Sequence, residues 1–269
     1  MILMNALNEN LVIVIPARKN SKRLKNKNFK NFFGFPLFEW SLAAGLFLKQ
    51  QLSGLREILV VCTSDDDQIL DLVKEKYSSS VLAVRRKPEL SDDNAILSDV
   101  IFDCIYRLAE RHVIRLDDYL SGSFILLQPT SPIRLKDDLV SFCRQIKNLG
   151  NNLSMVSVNK TYSEIKDIYE IIKFSEVKSD FLLGHIGKKF LKVRDIKKKS
   201  NSAFVDGSLY LGLMSTLKEK GFMPVAKTLA FPLSIKRSID IDTEKEFDDA
   251  LMQIKELQNL GIEYVSPKI

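Results

Sequence analysis

The chain alternates short, strongly apolar runs with longer stretches in which apolar residues recur at helical spacing. The runs that predict strands lie at 11–15, 57–62, 81–84, 123–128 and 153–159, and the stretches that predict helices at 37–50, 66–77, 95–111 and 136–149. Runs that are apolar at every position are typical of parallel strands, because helices cover both faces of such a sheet. The alternation therefore predicts an α/β domain with a mostly parallel sheet.

The alternation weakens between residues 160 and 203, where short apolar pieces are separated by many charged residues. We expect an inserted hairpin or a small annex there. A strand pattern resumes at 207–214. Because no internal repeat or low-complexity linker interrupts the chain, we interpret residues 1–269 as a single domain and 160–203 as an insertion within it.

Composition limits the classes of protein to which the chain can belong. Hydrophobic residues make up 45% of the 269 residues, which is enough for one substantial core. No apolar run reaches the roughly 18 residues that a bilayer span needs, and the first residues lack the features of a secretory signal. The three cysteines, Cys62, Cys104 and Cys143, fit neither a disulfide framework nor a zinc site, so we expect small core residues of a cytoplasmic protein.

A formal net charge of +6 suits an anionic partner without identifying it. The cations concentrate at 18–30 and 192–199. A nucleic-acid-binding protein usually adds a recognition motif or aromatic residues among its cations, and the chain shows no RRM signature, zinc finger or helix-turn-helix. We therefore expect no nucleic-acid and no membrane partner, while a non-catalytic basic module that binds RNA or acidic surfaces stays open as an alternative.

Four polar clusters each follow a predicted strand at the point where that strand ends. They are the cation-rich loop 18–30 and the segments 63–67, 85–95 and 128–134. In open parallel sheets, ligands bind beyond the carboxyl ends of the strands, where such segments meet. Each cluster alone is typical of an ordinary polar loop. Because all four lie at the carboxyl ends of strands, together they predict one binding site.

The first of these loops is densely positive and contains no glycine. Six cations occur between residues 18 and 27, and no glycine lies between Pro16 and Asn31, so neither a Walker A loop nor a GxGxxG turn is present. Side chains can still hold phosphate groups, with Arg18 forming paired hydrogen bonds and lysines acting as point charges. The alternative is a solvated basic loop, which the position directly after a buried strand makes less attractive.

The segment before the last predicted helix contains two aspartates. Asp240 and Asp242 are two residues apart, so their side chains share a face of an extended segment. Paired carboxylates suit Mg²⁺ that carries substrate phosphates. The alternative is a purely structural role, because 243–260 predicts a helix with Thr243 as N-cap and Glu246 completing a capping box.

The remaining candidate residues give little support to other chemistries. His112 and His185 are expected to be structural or exposed, and Trp40 is expected to pack in the core. Neither a Ser-His-Asp spacing nor a nucleophile elbow is present, so covalent acyl chemistry is not predicted.

Five short segments follow one another in an order that resembles a known family. They are IPARKNSKRLKNKN at 15–28, KPELSDDNA at 87–95, LLQPTSPIR at 126–134, DGSLYL at 206–211 and SIDIDT at 238–243. The family is that of the acylneuraminate cytidylyltransferases, which includes CMP-sialic acid synthetases and relatives for legionaminic acid, pseudaminic acid and KDO. The resemblance covers roughly residues 11 to 258. It implies a Rossmann-like nucleotidyltransferase in which 155–203 form an inserted dimerisation segment.

The resemblance also implies roles for individual residues. The implied catalytic residues are Arg18, Lys22, Lys27 and Asp242, the three cations facing the triphosphate of CTP. The implied nucleotide contacts are Ala17, Arg18, Lys27, Asn28, Arg86, Asp93 and Ala95. The implied sugar contacts are Gln128, Lys166 and Asp206. The implied ligands of Mg²⁺, the expected cofactor, are Asp240 and Asp242.

The reaction that the resemblance implies moves CMP from CTP to the anomeric hydroxyl of a nine-carbon 2-keto-3-deoxy sugar acid and releases pyrophosphate. Positioning and charge neutralisation suffice for such an in-line displacement, so no covalent enzyme intermediate is expected.

The chain departs from the family pattern near the sugar, with Ser163-Glu164 in place of His-Pro, Asp206 in place of asparagine and Leu97 in place of serine. KDO or another sugar acid stays open as the substrate. The implied partners are CTP, a sugar acid and a second copy of the chain.

Overall fold

The computed structural model describes most of the 269-residue chain, including all or nearly all of each predicted strand and helix. The described residues are 10–19, 21, 23–54, 57–92, 94–148, 154–159, 169–173, 181–185, 202–220, 228–233 and 239–268. Three of the predicted site residues, Lys22, Asp93 and Lys166, lie outside them, as does the basic segment 192–199.

The described residues form seven α-helices and eleven strands. The helices are α1 (Leu37–Gln51), α2 (Asp67–Tyr77), α3 (Leu97–Glu110), α4 (Leu116–Leu120), α5 (Lys136–Asn148), α6 (Met214–Lys220) and α7 (Glu244–Asn259). The strands are β1 (Leu11–Pro16), β2 (Asn31–Phe32), β3 (Phe35–Pro36), β4 (Ile58–Ser64), β5 (Leu82–Arg85), β6 (Ser123–Leu126), β7 (Ser154–Asn159), β8 (Tyr169–Lys173), β9 (Phe181–His185), β10 (Ser202–Leu213) and β11 (Thr228–Pro232). Short 3₁₀ turns occur at Lys27–Phe29 and Pro88–Leu90.

Nine strands form one mixed sheet in the order β5-β4-β1-β6-β10-β7-β11-β9-β8. The first four strands pair in parallel, and β10 runs antiparallel to both of its neighbours, β6 and β7. Because both neighbours are antiparallel to β10, they share one direction, and β11 runs in the same direction since it pairs in parallel with β7. The predicted α/β class with a mostly parallel sheet is confirmed.

Strand β1 lies inside the sheet and is covered on both faces, which explains its continuous apolar sequence. Ile13 and Ile15 pack on one side against α1 and α5, while Val12 and Val14 pack on the other against α3 and α6. All four side chains are fully buried. The alternation follows from the two-residue period of a strand and places the carboxyl end of β1 at the middle of the sheet edge.

Several local predictions are confirmed. Thr243 caps α7, its hydroxyl accepts from the backbone N–H of Glu246, and Glu246 completes the capping box. Cys62, Cys104 and Cys143 are buried and free.

Two further predictions concern an aromatic residue and the histidines. Trp40 is buried, as expected of a core residue. His112 is exposed just beyond α3, in a left-handed backbone conformation with φ 57°. The side chain of His185 is not among those described.

Other elements were not anticipated from the sequence. The β2–β3 hairpin, α4, α6 and β11 are short and have weak periodic signals.

Strands β8 and β9 pair antiparallel within the stretch for which a hairpin was expected. Among the helices of the described residues, none is long and apolar enough to cross a membrane.

Candidate functional site

A pocket of about 300 Å³ opens at the carboxyl edge of the sheet. Its walls come from the loop after β1, the segments after β5 and β6, and the extended segment before α7, so three of the four predicted clusters line it. The predicted site residues that it brings together are Arg18, Lys27, Asn28, Arg86, Ala95, Gln128, Asp240 and Asp242. Ala17 is fully buried and does not line the pocket.

The loop after β1 is held by the sheet at one end and by its own later residues at the other. The N–H of Ala17 donates to the carbonyl of Thr63 on β4 at 2.9 Å. The side-chain amide of Asn28 donates to the carbonyl of Arg18 at 2.8 Å. Asn26, just before Lys27, has φ 51°, a left-handed conformation that asparagine tolerates better than most residues. The loop thereby folds back on itself without glycine.

Lys27 is buried, with 6% of its surface exposed, and its ammonium group is fully engaged by the segment before α7. Nζ donates to the carbonyl of Ile241 at 2.7 Å and to Oδ1 of Asp242 at 2.9 Å. Arg23 approaches the other oxygen of Asp242 at 2.7 Å. A buried ammonium group is stable only when it is paired in this way. The sequence did not single out Arg23, which belongs to the same loop.

The segment 239–242 presents its two aspartates on one side, as the spacing predicts. Ile241, between them, is fully buried, and its N–H donates to the carbonyl of Thr130 at 2.7 Å. Oε2 of Glu246 accepts from the backbone N–H of Asp242 at 2.8 Å. The residue that completes the cap of α7 therefore also fixes the backbone of Asp242.

The chemistry of the two carboxylates suits Mg²⁺. Asp240 is exposed in the pocket, but the surrounding protein removes enough water to raise its pKa, and the Asp242 carboxylate raises that pKa further. A cation between the two groups would relieve this repulsion. Among the described residues no group of three or more metal-ligating side chains occurs. A pair nevertheless fits Mg²⁺, which takes one or two protein carboxylates when substrate phosphates supply further oxygens.

Arg86 and Asn28 line the pocket, and each side chain carries a buried polar atom. Arg86 has 4% of its surface exposed, donates from Nη2 to the carbonyl of Thr63 at 3.0 Å, and has its pKa lowered by burial. Within the described residues, Nε of Arg86 and Oδ1 of Asn28 are buried without a hydrogen-bond partner. Such atoms cost roughly 1–3 kcal/mol each, so a ligand that pairs with them would be bound more tightly.

Gln128 lies over an irregular part of β10. The register of β10 against β7 shifts between Val205 and Tyr210. Within this bulge Gly207 has φ 82°, and a Cβ there would lie 3.3 Å from Oε1 of Gln128. Bulges of this kind often occur beside active sites.

Asp206 does not line the pocket, although it was predicted to contact the sugar. It is buried, and its Oδ1 accepts from the backbone N–H of Ser208 at 2.9 Å and from the hydroxyl of Ser157. These bonds make it part of the bulge that supports Gln128. A role in direct sugar contact stays a prediction.

Sequence reasoning missed Arg134, although it lies within the QPTSPIR segment. Its guanidinium is buried, and burial lowers its pKa to about 9. Nη2 donates at 3.0 Å to the carbonyls of both Gln128 and Ser208. Arg134 thereby joins the turn after β6 to the bulge of β10. The only signal for it was membership of a polar segment.

Sequence comparisons agree with the site. A profile of the family described as cytidylyltransferase matches residues 12–180. CMP-N,N'-diacetyllegionaminic acid synthase of Legionella pneumophila is 30% identical over 236 residues, covering 87% of this chain and 91% of that protein. Pseudaminic acid cytidylyltransferase of Campylobacter jejuni is 27% identical over 245 residues, covering 90% and 95%.

A structural comparison supports the same fold. CMP:2-keto-3-deoxy-manno-octonic acid synthetase complexed with CTP matches with a TM-score of 0.62 at 14% identity, covering 92% of this chain and 99% of that chain. The fold and the sequence relationships together define a nucleotidyltransferase. The chain belongs to the cytidylyltransferase family, and the predicted relationship is confirmed.

Proposed function

We propose that the protein transfers CMP from CTP to the anomeric hydroxyl of a nine-carbon 2-keto-3-deoxy sugar acid and releases pyrophosphate. The observation that carries the proposal is the convergence of two cations, Arg18 and Lys27, and two carboxylates, Asp240 and Asp242, in one pocket. The names of the two relatives, for legionaminic and pseudaminic acids, support a nonulosonic acid as the acceptor. KDO or another sugar acid is the alternative.

In this mechanism the enzyme positions both substrates and neutralises charge. The hydroxyl oxygen of the sugar bonds to the α-phosphorus as the bond to the pyrophosphate oxygen breaks, and the hydroxyl proton is released to water. Arg18 and Lys27 stabilise the negative charge that grows on the leaving pyrophosphate. Lys22 is assigned the same role by the family resemblance and stays a prediction. No side chain needs to form a covalent bond to the substrate.

The proposed cofactor is Mg²⁺, with Asp240 and Asp242 as its protein ligands. When bound, the ion would neutralise phosphate charge and polarise the oxygens that it contacts. Asp242 already carries two cationic partners, Lys27 and Arg23. Those partners would be shared between the carboxylate and the phosphates of CTP once the nucleotide enters.

The nucleoside is proposed to bind on the β5 side of the pocket and the sugar on the β6 side. Arg86, Asn28 and Ala95 line the first region, where the buried Nε and Oδ1 atoms can pair with the nucleotide. Gln128 lines the second. Asp93 and Lys166 keep their predicted roles at the nucleotide and the sugar.

Two further expectations remain proposals. A homodimer formed through 155–203 is one, and it is testable by light scattering of the purified full-length chain. A cytoplasmic location is the other. It agrees with three cysteines that are all free, because disulfides rarely form in reducing compartments.

The function is tested by measuring pyrophosphate release from CTP with a panel of acceptors. Legionaminic, pseudaminic and N-acetylneuraminic acids and KDO are compared, and UTP replaces CTP as the nucleotide control. We expect release with CTP and at least one nine-carbon acid. Release only with KDO would select the alternative acceptor. If no acceptor gives release but RNA binds in a salt-dependent manner, a basic nucleic-acid module would replace the enzyme.

A further inference from the structure

We propose that Asp65, directly after β4, is a positioning residue that holds the arginine-bearing loop after β1 in its binding shape. Oδ1 of Asp65 accepts from the backbone N–H of Lys19 at 2.8 Å, across 46 residues of sequence. The proposal rests on the proposed function, since the loop lines the nucleotide pocket. It also gives a role to the acidic segment 63–67, which does not line that pocket.

Three hydrogen bonds surround Arg18 in the chain. The preceding residue, Ala17, is bonded through its N–H to β4 at 2.9 Å. The carbonyl of Arg18 accepts from Asn28 at 2.8 Å, and the following residue, Lys19, is bonded to Asp65. The backbone of Arg18 is thus fixed on both sides, and its side chain lines the pocket. Without Asp65, the bond to the N–H of Lys19 would be lost, and the bonds of Ala17 and of the Arg18 carbonyl would remain.

Asp65 is itself anchored at the junction of a strand and a helix. Its carbonyl accepts from Nη1 of Arg85 at 3.2 Å. The next residue, Asp66, caps α2 by accepting from the N–H of Gln68 at 3.0 Å. Asp67 pairs with Arg85 on the outer surface. Each of the three consecutive aspartates therefore has a different task, and Asp65 is the one that contacts the loop.

The charge of Asp65 also acts on the second arginine of the pocket. Burial lowers the pKa of Arg86, and the Asp65 carboxylate acts in the opposite direction, favouring the charged guanidinium. One carboxylate therefore fixes the loop that carries Arg18 and supports the charge of Arg86. An asparagine at position 65 could accept the hydrogen bond from the N–H of Lys19, but it carries no charge that could act on Arg86. Asp65→Asn therefore separates the two effects.

The test compares Asp65→Ala, Asp65→Asn and the control Asp71→Ala in the full chain, since Asp71 is an exposed carboxylate of α2 that pairs with Lys74. Hydrogen exchange of the Lys19 amide is followed by NMR in the ligand-free protein, and KM is measured separately for CTP and for the sugar acid. In Asp65→Ala we expect faster exchange at Lys19 and a KM for CTP raised about fivefold to tenfold, with the KM for the sugar unchanged. Asp65→Asn should restore amide protection and part of the CTP affinity. Asp71→Ala should change neither the exchange of the Lys19 amide nor the KM for CTP.

Unchanged exchange of the Lys19 amide in Asp65→Ala would overturn the proposal. The proposal would also be overturned if Asp65→Ala raised the KM for CTP and the KM for the sugar acid alike and lowered the melting temperature, because that pattern indicates a general structural defect. A failure of Asp65→Asn to restore amide protection would also overturn it. The exchange measurement needs no substrate. It therefore tests whether Asp65 holds the loop even if the acceptor panel contradicts the proposed function.

Discussion

Lys27 is joined to Asp242 by a hydrogen-bonded ion pair of 2.9 Å that spans 215 residues of sequence. This contact brings the cation-rich loop after β1 against the two-aspartate segment before α7. The positive and negative halves of the proposed Mg·CTP site are therefore assembled before any ligand arrives. Preassembled charges need little reorganisation during the reaction, which is the main source of electrostatic catalysis.

The first prediction concerns Lys27. Lys27→Ala should lower kcat by about 10²–10³-fold, the size of effect expected when one preorganised charge-stabilising donor is removed. The fold should persist, because Arg23 still pairs with Asp242. Pyrophosphate release measures the rate, and circular dichroism checks the fold. Lys25→Ala is the control, since Lys25 is exposed in the same loop and does not line the pocket. Turnover of Lys27→Ala like that of the wild type would remove Lys27 from the site.

The second prediction concerns the metal. Asp242→Ala should lose most activity, and added Mg²⁺ should not restore it, because one of two protein ligands is missing. Asp240→Asn should behave alike. Binding of Mn²⁺ in the presence of CTP, followed by electron paramagnetic resonance, should weaken in both variants.

The control for the metal prediction is Glu244→Ala. Glu244 is the next carboxylate along the chain, but its side chain is 66% exposed and pairs with Lys30. Its substitution should leave Mn²⁺ binding unchanged. Equal Mn²⁺ binding by the wild type and by both aspartate variants would exclude these residues as ligands.

Features set by local sequence could be predicted, whereas those set by distant pairing could not. The buried run of β1 and the capping box of Thr243 and Glu246 depend on neighbours within a few residues, and both agree with the structure. The direction of β10 depends on the strands that flank it, β6 and β7. Its apolar pattern therefore could not predict that it runs antiparallel to them. The same limit applies to the site. Spacing predicted that Asp240 and Asp242 share a side, but the contacts of Arg134 exist only after folding.

The third prediction concerns the glycine beneath Gln128. Gly207→Ala should raise the KM for the sugar acid roughly tenfold, because the new Cβ meets Oε1 of Gln128 at 3.3 Å and a left-handed φ of 82° strains alanine by about 1–2 kcal/mol. The KM for CTP should stay the same. Steady-state kinetics with each substrate varied in turn makes the comparison.

Gly54→Ala is the matched control for strain alone. Gly54 has φ 101°, and a Cβ there would meet nothing within 4 Å. It should lower stability by a similar amount and leave both KM values unchanged. If the two glycine variants show identical kinetics, Gln128 is not positioned through Gly207.

The fourth prediction concerns the buried thiols. Burial raises the pKa of Cys62, Cys104 and Cys143 from 9.0 to about 12. A pKa that is higher in the folded state means that the folded state binds the proton more tightly. The resulting stabilisation is complete below pH 9 and is lost as the pH rises from 9 towards 12. All three thiols should also resist a thiol-specific reagent in the native protein and react once it is unfolded.

The measurement is the free energy of unfolding by urea at a series of pH values above 8, for the wild type and for Cys143→Ala. The variant lacks one of the titrating thiols, so its stability should fall less steeply with pH than that of the wild type. The cavity left by the substitution lowers the free energy by an amount that does not depend on pH, and the comparison of slopes removes it. Equal slopes, or rapid labelling of the native thiols at pH 8, would contradict the assignment of these cysteines to the core.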